Sequence, residues 1–294
     1  CGSETEPPSP FSESEAKPPT AAVPPTPSES TQAKVENVVA ETPQPKVDAD
    51  PVTTPKPKSE PGNKSKTDKP PAQVTVADAI AALKKLRATI KQNEQGEVVE
   101  VDFHFFTDIT DAGLVHLKGL TGLQTLGLAG SKITDAGLVH LKGMTKLETL
   151  NLQFTYITDA GLVHLKGLTN LQHLYLTQIT DAGLVHLKGL TNLKILPLAG
   201  SKITDAGLVH LKGMTELQKL NLSRSNITDA GLMHLKGLPN LQNLSLFGTK
   251  VTDAGLVHLK ALTELQELNL RDAKVTDTGV ADLQKALPNC KITK

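Results

Sequence analysis

Ile-Thr-Asp-Ala-Gly-Leu-Val-His-Leu-Lys-Gly-Leu-Thr-Gly-Leu-Gln-Thr-Leu-Gly-Leu, residues 109–128, is the stretch that decides the architecture. Its opening string, Ile/Val-Thr-Asp-x-Gly, recurs at residues 109, 133, 157, 179, 203, 227, 251 and 275, at intervals of 24 residues except for one of 22. Self-similarity at a fixed short period marks a stacked-repeat fold. Within the unit, Leu126 and Leu128 stand two apart and so share one side of a strand. The segment from Thr110 to Lys118 is predicted to be a two-turn helix. Thr110 caps it, Asp111 lies in the first turn where the dipole favours an anion, and Leu114 and Leu117 share a face. Gly119 is expected to stop it in the left-handed conformation, with Leu120 closing the cap. One strand and one helix cannot bury their own apolar faces, so neighbouring units must stack into an α/β solenoid.

Outward from the repeats, the chain divides by composition. Of its 19 prolines, 16 lie between Pro7 and Pro71, and residues 1–73 carry 11 acidic and 8 basic side chains. Such a Pro/Ser/Thr/Glu/Lys-rich segment is expected to stay disordered and extended, a tether. Residues 74–108 are expected to form an N-terminal cap. There Thr75-x-x-Asp78 starts a helix, Ile80, Leu83, Leu86 and Ile90 give it an apolar stripe, and Val99, Val101 and Phe103 alternate as a first strand. Repeats occupy 109–274. Residues 275–294 close the stack as a truncated repeat in which Leu283, Leu287, Cys290 and Ile292 continue the pattern, Cys290 standing where a core leucine normally does.

The units resemble leucine-rich repeats over about 109–294. Their Ile-Thr-Asp-Ala-Gly-Leu half is similar to the cysteine-containing subtype of F-box/LRR proteins, and closer still to the LRR lipoproteins of planctomycete-type bacteria. The resemblance implies a horseshoe with a parallel sheet on the concave face and short helices on the convex one. The start Cys1-Gly2-Ser3, without Met and followed by a polar tether, resembles a mature bacterial lipoprotein. That resemblance implies a lipid on Cys1, a membrane as one partner, and an extracytoplasmic place in the cell envelope, at the outer membrane or the periplasmic face. Lipidation would leave Cys290 as a lone, buried thiol.

With 31 basic and 31 acidic residues the chain has zero formal charge, which argues against a dedicated nucleic-acid binder. It contains no run of about 18 apolar residues. Seven histidines, His116 through His258, occupy one column, but seven lysines, Lys118 through Lys260, stand two residues beyond and would repel a cation. We read the histidines as packing beside the next helix, with Val115 and its equivalents packing on the other flank. A Thr/Asp/His set copied in nearly every repeat is scaffold rather than a catalytic triad, which requires one converged site. No enzyme activity, cofactor or metal is expected.

Function is expected where the repeats vary. Strand positions between the inward leucines give concave columns containing Thr149, His173, Ile195 and Lys219, then Asn151, Tyr175, Pro197 and Asn221, then Gln153. The repeat beginning at Ile157 lacks two residues between Leu176 and Ile179, and the loop before it carries Phe154 and Tyr156. These rings are either interface anchors or filler for the shortened turn. The sequence therefore reads as a monomeric, non-catalytic protein-binding module for an unidentified protein ligand. Its site is Asn151, Gln153, Phe154, Tyr156, His173, Tyr175, Ile195, Pro197, Lys219 and Asn221; a structural envelope protein and a glycan binder are the alternatives.

Overall fold

Alternating burial makes one short strand in each repeat: Leu126, Leu150, Leu174 and their equivalents sink into the core while their strand neighbours meet solvent or the next strand. In the computed structural model, which describes residues 75–103 and 108–294, the strands follow chain order in one open ten-stranded sheet. They are β1 (Thr89–Gln92), β2 (Val98–Asp102), β3 (Thr125–Gly127), β4 (Thr149–Asn151), β5 (His173–Tyr175), β6 (Ile195–Pro197), β7 (Lys219–Asn221), β8 (Asn243–Ser245), β9 (Glu267–Asn269) and β10 (Lys291–Thr293). β1 runs antiparallel to β2, and every later neighbour is parallel. The chain is thus an α/β solenoid with its helical turns behind the sheet. The expected tether at 1–73 and the lipid site Cys1 lie outside the described residues.

The helical half of each repeat is tighter than the two-turn α-helix read from the sequence. In the early repeats it is 3₁₀ helix, as at Asp111–Leu117, Gly137–Leu141 and Gly161–Leu165. The later ones begin with one α-turn, such as Asp205–Leu208, and finish as 3₁₀. α2 (Asp181–Leu187), directly after the shortened turn, is regular throughout. The 3₁₀ form rises about 2.0 Å per residue against 1.5 Å, so five to seven residues reach farther across the back of the sheet. The expected left-handed stop occurs at Gly119, Gly143 and Gly213, with φ of 94°, 92° and 98°. Lys118, Lys142 and Lys212 before them are extended, which makes type II turns. Lys166 and Lys188 stay helical instead, so Gly167 and Gly189 need no positive φ.

The Thr-Asp-x-Gly string joins repeats to one another. Asp111 Oδ1 accepts from the Thr134 amide at 2.8 Å and its Oδ2 accepts from the Thr134 hydroxyl at 2.6 Å. The same pair of bonds links Asp135 to Thr158, Asp159 to Thr180, Asp181 to Thr204, Asp205 to Thr228, Asp229 to Thr252 and Asp253 to Thr276. Each of these threonines except Thr276 also accepts from the amide two residues on, as Thr204 does from Ala206 at 3.3 Å; Thr276 accepts from Gly279. Capping and clamping are therefore one relay through one hydroxyl. Thr110, expected to cap, makes no such bond, because no clamp aspartate precedes it to orient its hydroxyl. Asp277, at the other end, takes Lys294 at 2.5 Å.

At the N-terminal end, α1 (Val76–Lys85) is held by a capping box between Thr75 and Asp78. The helix stops earlier than its apolar stripe suggested: Arg87 turns left-handed at φ 64°, and Ile90 belongs to β1. β-Branched Thr89 and Ile90 pair with β2 through a turn at Asn93–Gly96, so the expected single strand is a hairpin. Val98 and Val101 are its buried valines, with Val99 only half-buried. At the other end α6 (Asp277–Ala286) and β10 cover the last repeat, and Cys290 is buried. Burial pushes its thiol up to about 11. Leu196 is fully enclosed mid-stack. Leu196→Ala is expected to cost about 2 to 5 kcal/mol, measured by chemical denaturation; an unchanged midpoint would show that β6 does not hold this register.

Candidate functional site

Strand register stacks the variable residues into ladders on the solvent face of the sheet. Thr149 lies beside His173, His173 beside Ile195 and Ile195 beside Lys219; Asn151 lies beside Tyr175, and Pro197 beside Asn221. All eight are half-buried. Between β5 and β6 the ladder narrows to the single pair His173↔Ile195. Pro197 is one cause, since it brings no N–H to a central strand, a place where proline is seldom found.

The polar members are largely committed to their own neighbourhood. Asn151 Oδ1 accepts from the Gln153 amide at 3.1 Å and Asn221 Oδ1 from the Ser223 amide at 2.9 Å, so both side chains brace the loop that follows. His173 Nδ1 shares a hydrogen with the Thr149 hydroxyl at 3.1 Å. Burial, assisted by Lys194 and Lys219, lowers the pKa of His173, while Glu148 opposes this. Burial also raises the Tyr175 phenol. The side chains that β5 and β6 themselves present are therefore neutral, an apolar-to-neutral strip of Tyr175, Ile195, Pro197 and His173 flanked by Lys194, Lys219 and Glu148.

The rim beside this strip is where the structure departs most from its own rule. After each strand, the residue two past the last core leucine adopts positive φ: Gly130, Gly200 and Gly248 do so as glycines, and Phe154, Gln178, Arg224 and Asp272 do so without that freedom. Arg224 stacks on the ring of Phe247 at 5.2 Å in the next repeat. Phe154 has no such partner: at φ 55° its side chain is 68% exposed. The filler reading of Phe154 is therefore wrong. Tyr156 is equally exposed, at 68%.

A physical cause for this exposure is the two-residue deletion. In the other repeats the loop residue just before the Ile/Val-Thr-Asp string donates its amide to the preceding repeat, as Lys132 does to Ile109, Tyr156 to Ile133 and Lys202 to Ile179. In the short repeat that residue is Gln178, which already stands two past Leu176 at φ 60°, and among the described residues no such bond reaches Ile157 and nothing continues the column beside Tyr156. The loop edge steps inward there. The Phe154 amide, whose equivalents at Gly130, Gly200 and Arg224 donate to a backbone carbonyl of the next repeat, is taken instead by the Thr177 hydroxyl at 3.1 Å. Sequence reading nominates Phe154 and Tyr156 for the site but not Thr177, whose hydroxyl stands in for its own backbone carbonyl as the acceptor. The clamp from Asp159 to Thr180 crosses the step intact, at 2.9 and 2.6 Å.

Behind the sheet, the histidine column is half-buried and the valine column is not: Val115, Val139, Val185 and Val209 are 43–46% exposed, so they do not pack on the next helix as expected. Among the described residues no cluster of three His, Cys, Asp or Glu side chains is placed to hold a metal ion, and no helix is long and apolar enough to cross a membrane. The titration of His173 is the accessible check on the site. Because its folded pKa lies below 6.5, the unfolded chain takes up a proton first as pH falls through 6.5, and the folded state loses stability there. His173→Gln is expected to flatten the decline of Tm below pH 6.5, and the imidazole to titrate by NMR below 6.5; a midpoint at or above that value would contradict the described packing.

A family model described as leucine rich repeat matches residues 105–181 and 191–251, and a second, described in the same words, matches 261–283. No curated protein matches. Among solved structures, internalin C2 from Listeria monocytogenes is similar at 26% identity and a TM-score of 0.53, covering 76% of this chain and 94% of its own. Internalin F from the same organism matches at 23% identity and a TM-score of 0.47, over 74% of each chain.

Proposed function

The chain belongs to the leucine-rich repeat family, and from that premise we propose that it is a non-catalytic module that binds a protein partner across β4–β6. Phe154 and Tyr156 on the adjoining rim anchor that partner. Solenoids of this family generally mediate protein–protein interaction, and a rigid sheet with varied side chains suits that use. The single observation that carries the reading is Phe154: a bulky side chain held at φ 55° and 68% exposed, in a position that three other repeats give to glycine. Such a residue costs the fold about 1 kcal/mol and returns nothing to the core. Strain without packing benefit points to a surface kept for contact. The partner's apolar side chain fills the step beside Tyr156, and Tyr175, Ile195 and Pro197 extend the contact over the sheet. Tethering through the Pro-rich tail and a lipid on Cys1, in an extracytoplasmic envelope setting, completes this reading.

Phe154→Gly tests it, because stability and binding should move in opposite directions. The variant is expected to melt higher, by about 1 kcal/mol of stability, and to bind a partner isolated by crosslinking at Tyr156 roughly thirtyfold more weakly, as for loss of a central aromatic anchor. Stability that rises with affinity unchanged would remove the rim from the site. Tyr175→Ala should weaken the same complex while leaving the melting curve in place.

A further inference from the structure

Zero net charge conceals a strong segregation of charge on the repeat domain. One edge of the solenoid runs from the end of each helical turn to the start of the next strand, residues 118–124 in the first repeat and 260–266 in the seventh. Over seven repeats this edge carries nine lysines and three glutamates, with no arginine and no aromatic residue. Seven of the lysines form the Lys118–Lys260 column, and Lys146 and Lys194 widen it. Eight are exposed and Lys194 is half-buried. None of the nine makes an ion pair or a side-chain hydrogen bond among the described residues, whereas the opposite edge pairs Lys132 with Asp108 and Lys294 with Asp277.

A lysine at a helix C-terminus complements the dipole, which explains one such residue per repeat. It does not explain Lys146 and Lys194, nor the scarcity of acids among like charges repeated once per stacked unit. The chemistry of the track narrows its occupant. Lysine offers a compact point charge rather than the planar fork that arginine presents to individual groups. Without aromatics there is no stacking platform for single-stranded bases. A second copy of the same edge would meet like with like. The exposed valines alongside are too small and too shallow to enter a bilayer as the large apolar residues of interfacial helices do.

We propose that this edge is a docking track for a linear, base-free polyanion of the polyphosphate or polyphosphodiester class, independent of the protein-binding face of the sheet. Ammonium groups along the track meet phosphates along one strand, so binding is multivalent and driven by counterion release.

The test uses the full chain and labelled long-chain inorganic polyphosphate, with fluorescence anisotropy at increasing salt. Long-chain polymer should bind at least about a hundredfold more tightly than tripolyphosphate. The Lys142→Gln, Lys166→Gln, Lys188→Gln, Lys212→Gln variant should bind at least about tenfold more weakly, and its slope of log affinity against log salt should be shallower by about 3. The corresponding Lys→Arg variant should keep binding, and every variant should keep a single cooperative thermal transition, the Lys→Gln protein being lowered only by the loss of its helix-end charges. Removing the same charge from the other edge, at Lys132, Lys202, Lys250 and Lys274, should change affinity less than about twofold. Equal losses from both edges, affinity independent of chain length, or preference for phosphatidylglycerol vesicles over polymer at equal charge would each overturn the proposal.

Discussion

Everything in the repeat domain hangs on a carboxylate that reaches forward into the next repeat. In each repeat the aspartate of Thr-Asp-x-Gly holds the amide and the hydroxyl of the next threonine, from Asp111–Thr134 to Asp253–Thr276, and passes so close to the next glycine that a Cβ there would fall on its Oδ1. Three residue types are fixed by this one contact. Aspartate must be short and anionic to accept two bonds, threonine must donate back to the preceding repeat while capping its own turn, and glycine must lack a side chain. Gly113, which no clamp aspartate precedes, meets Ile109 and Leu86 instead. The contact works on the helical side while the leucine strands work on the other, so successive repeats are pinned at both faces.

Such rigid pinning lets the molecule drop two residues without losing its stack. At the shortened turn the clamp is unchanged, the core leucines Leu174, Leu176 and Leu196 stay enclosed, and the hydrogen bonds that change are those of the rim and of the β5–β6 ladder, which keeps the pair His173↔Ile195. A missing amide leaves a step, Thr177 substitutes a hydroxyl for a carbonyl, and Phe154 and Tyr156 stand exposed beside it. Scaffold stability is thereby separated from surface specificity: one is written in the invariant positions, the other in what the invariant positions permit.

The period and the inward leucines were legible from spacing alone, because a repeat that cannot bury its own faces must stack, and the parallel order is what the resemblance to leucine-rich repeats implies. The clamp was legible from neither. Asp111 in a first turn satisfies the helix dipole equally well, and nothing local says that its carboxylate belongs to Thr134, 23 residues on. Ile90 was misread as helix because i, i+3 and i+4 spacing continues past Leu86, while the left-handed Arg87 that ends α1 carries no sequence mark of its own. In the site, the alternating columns were legible, yet the bonds from Asn151 and Asn221 to the amides two residues on depend on the loop conformation after each strand, and the exposure of Phe154 depends on its neighbours in the next repeat.

A double-mutant cycle on Asp205 and Gly231 tests the clamp most directly, with unfolding free energies measured by denaturant titration. Asp205→Ala leaves the Thr228 amide and hydroxyl without their acceptor and is expected to cost about 1 to 3 kcal/mol. Gly231→Ala forces a methyl onto Asp205 Oδ1 and is expected to cost a similar amount. In the Asp205→Ala background that methyl has room, so the double variant should be less destabilised than the two losses combined, by about 1 kcal/mol or more. Strict additivity, or a Gly231→Ala protein as stable as the parent, would show that the carboxylate does not occupy the glycine's missing side chain and that the stack is held by its leucines alone.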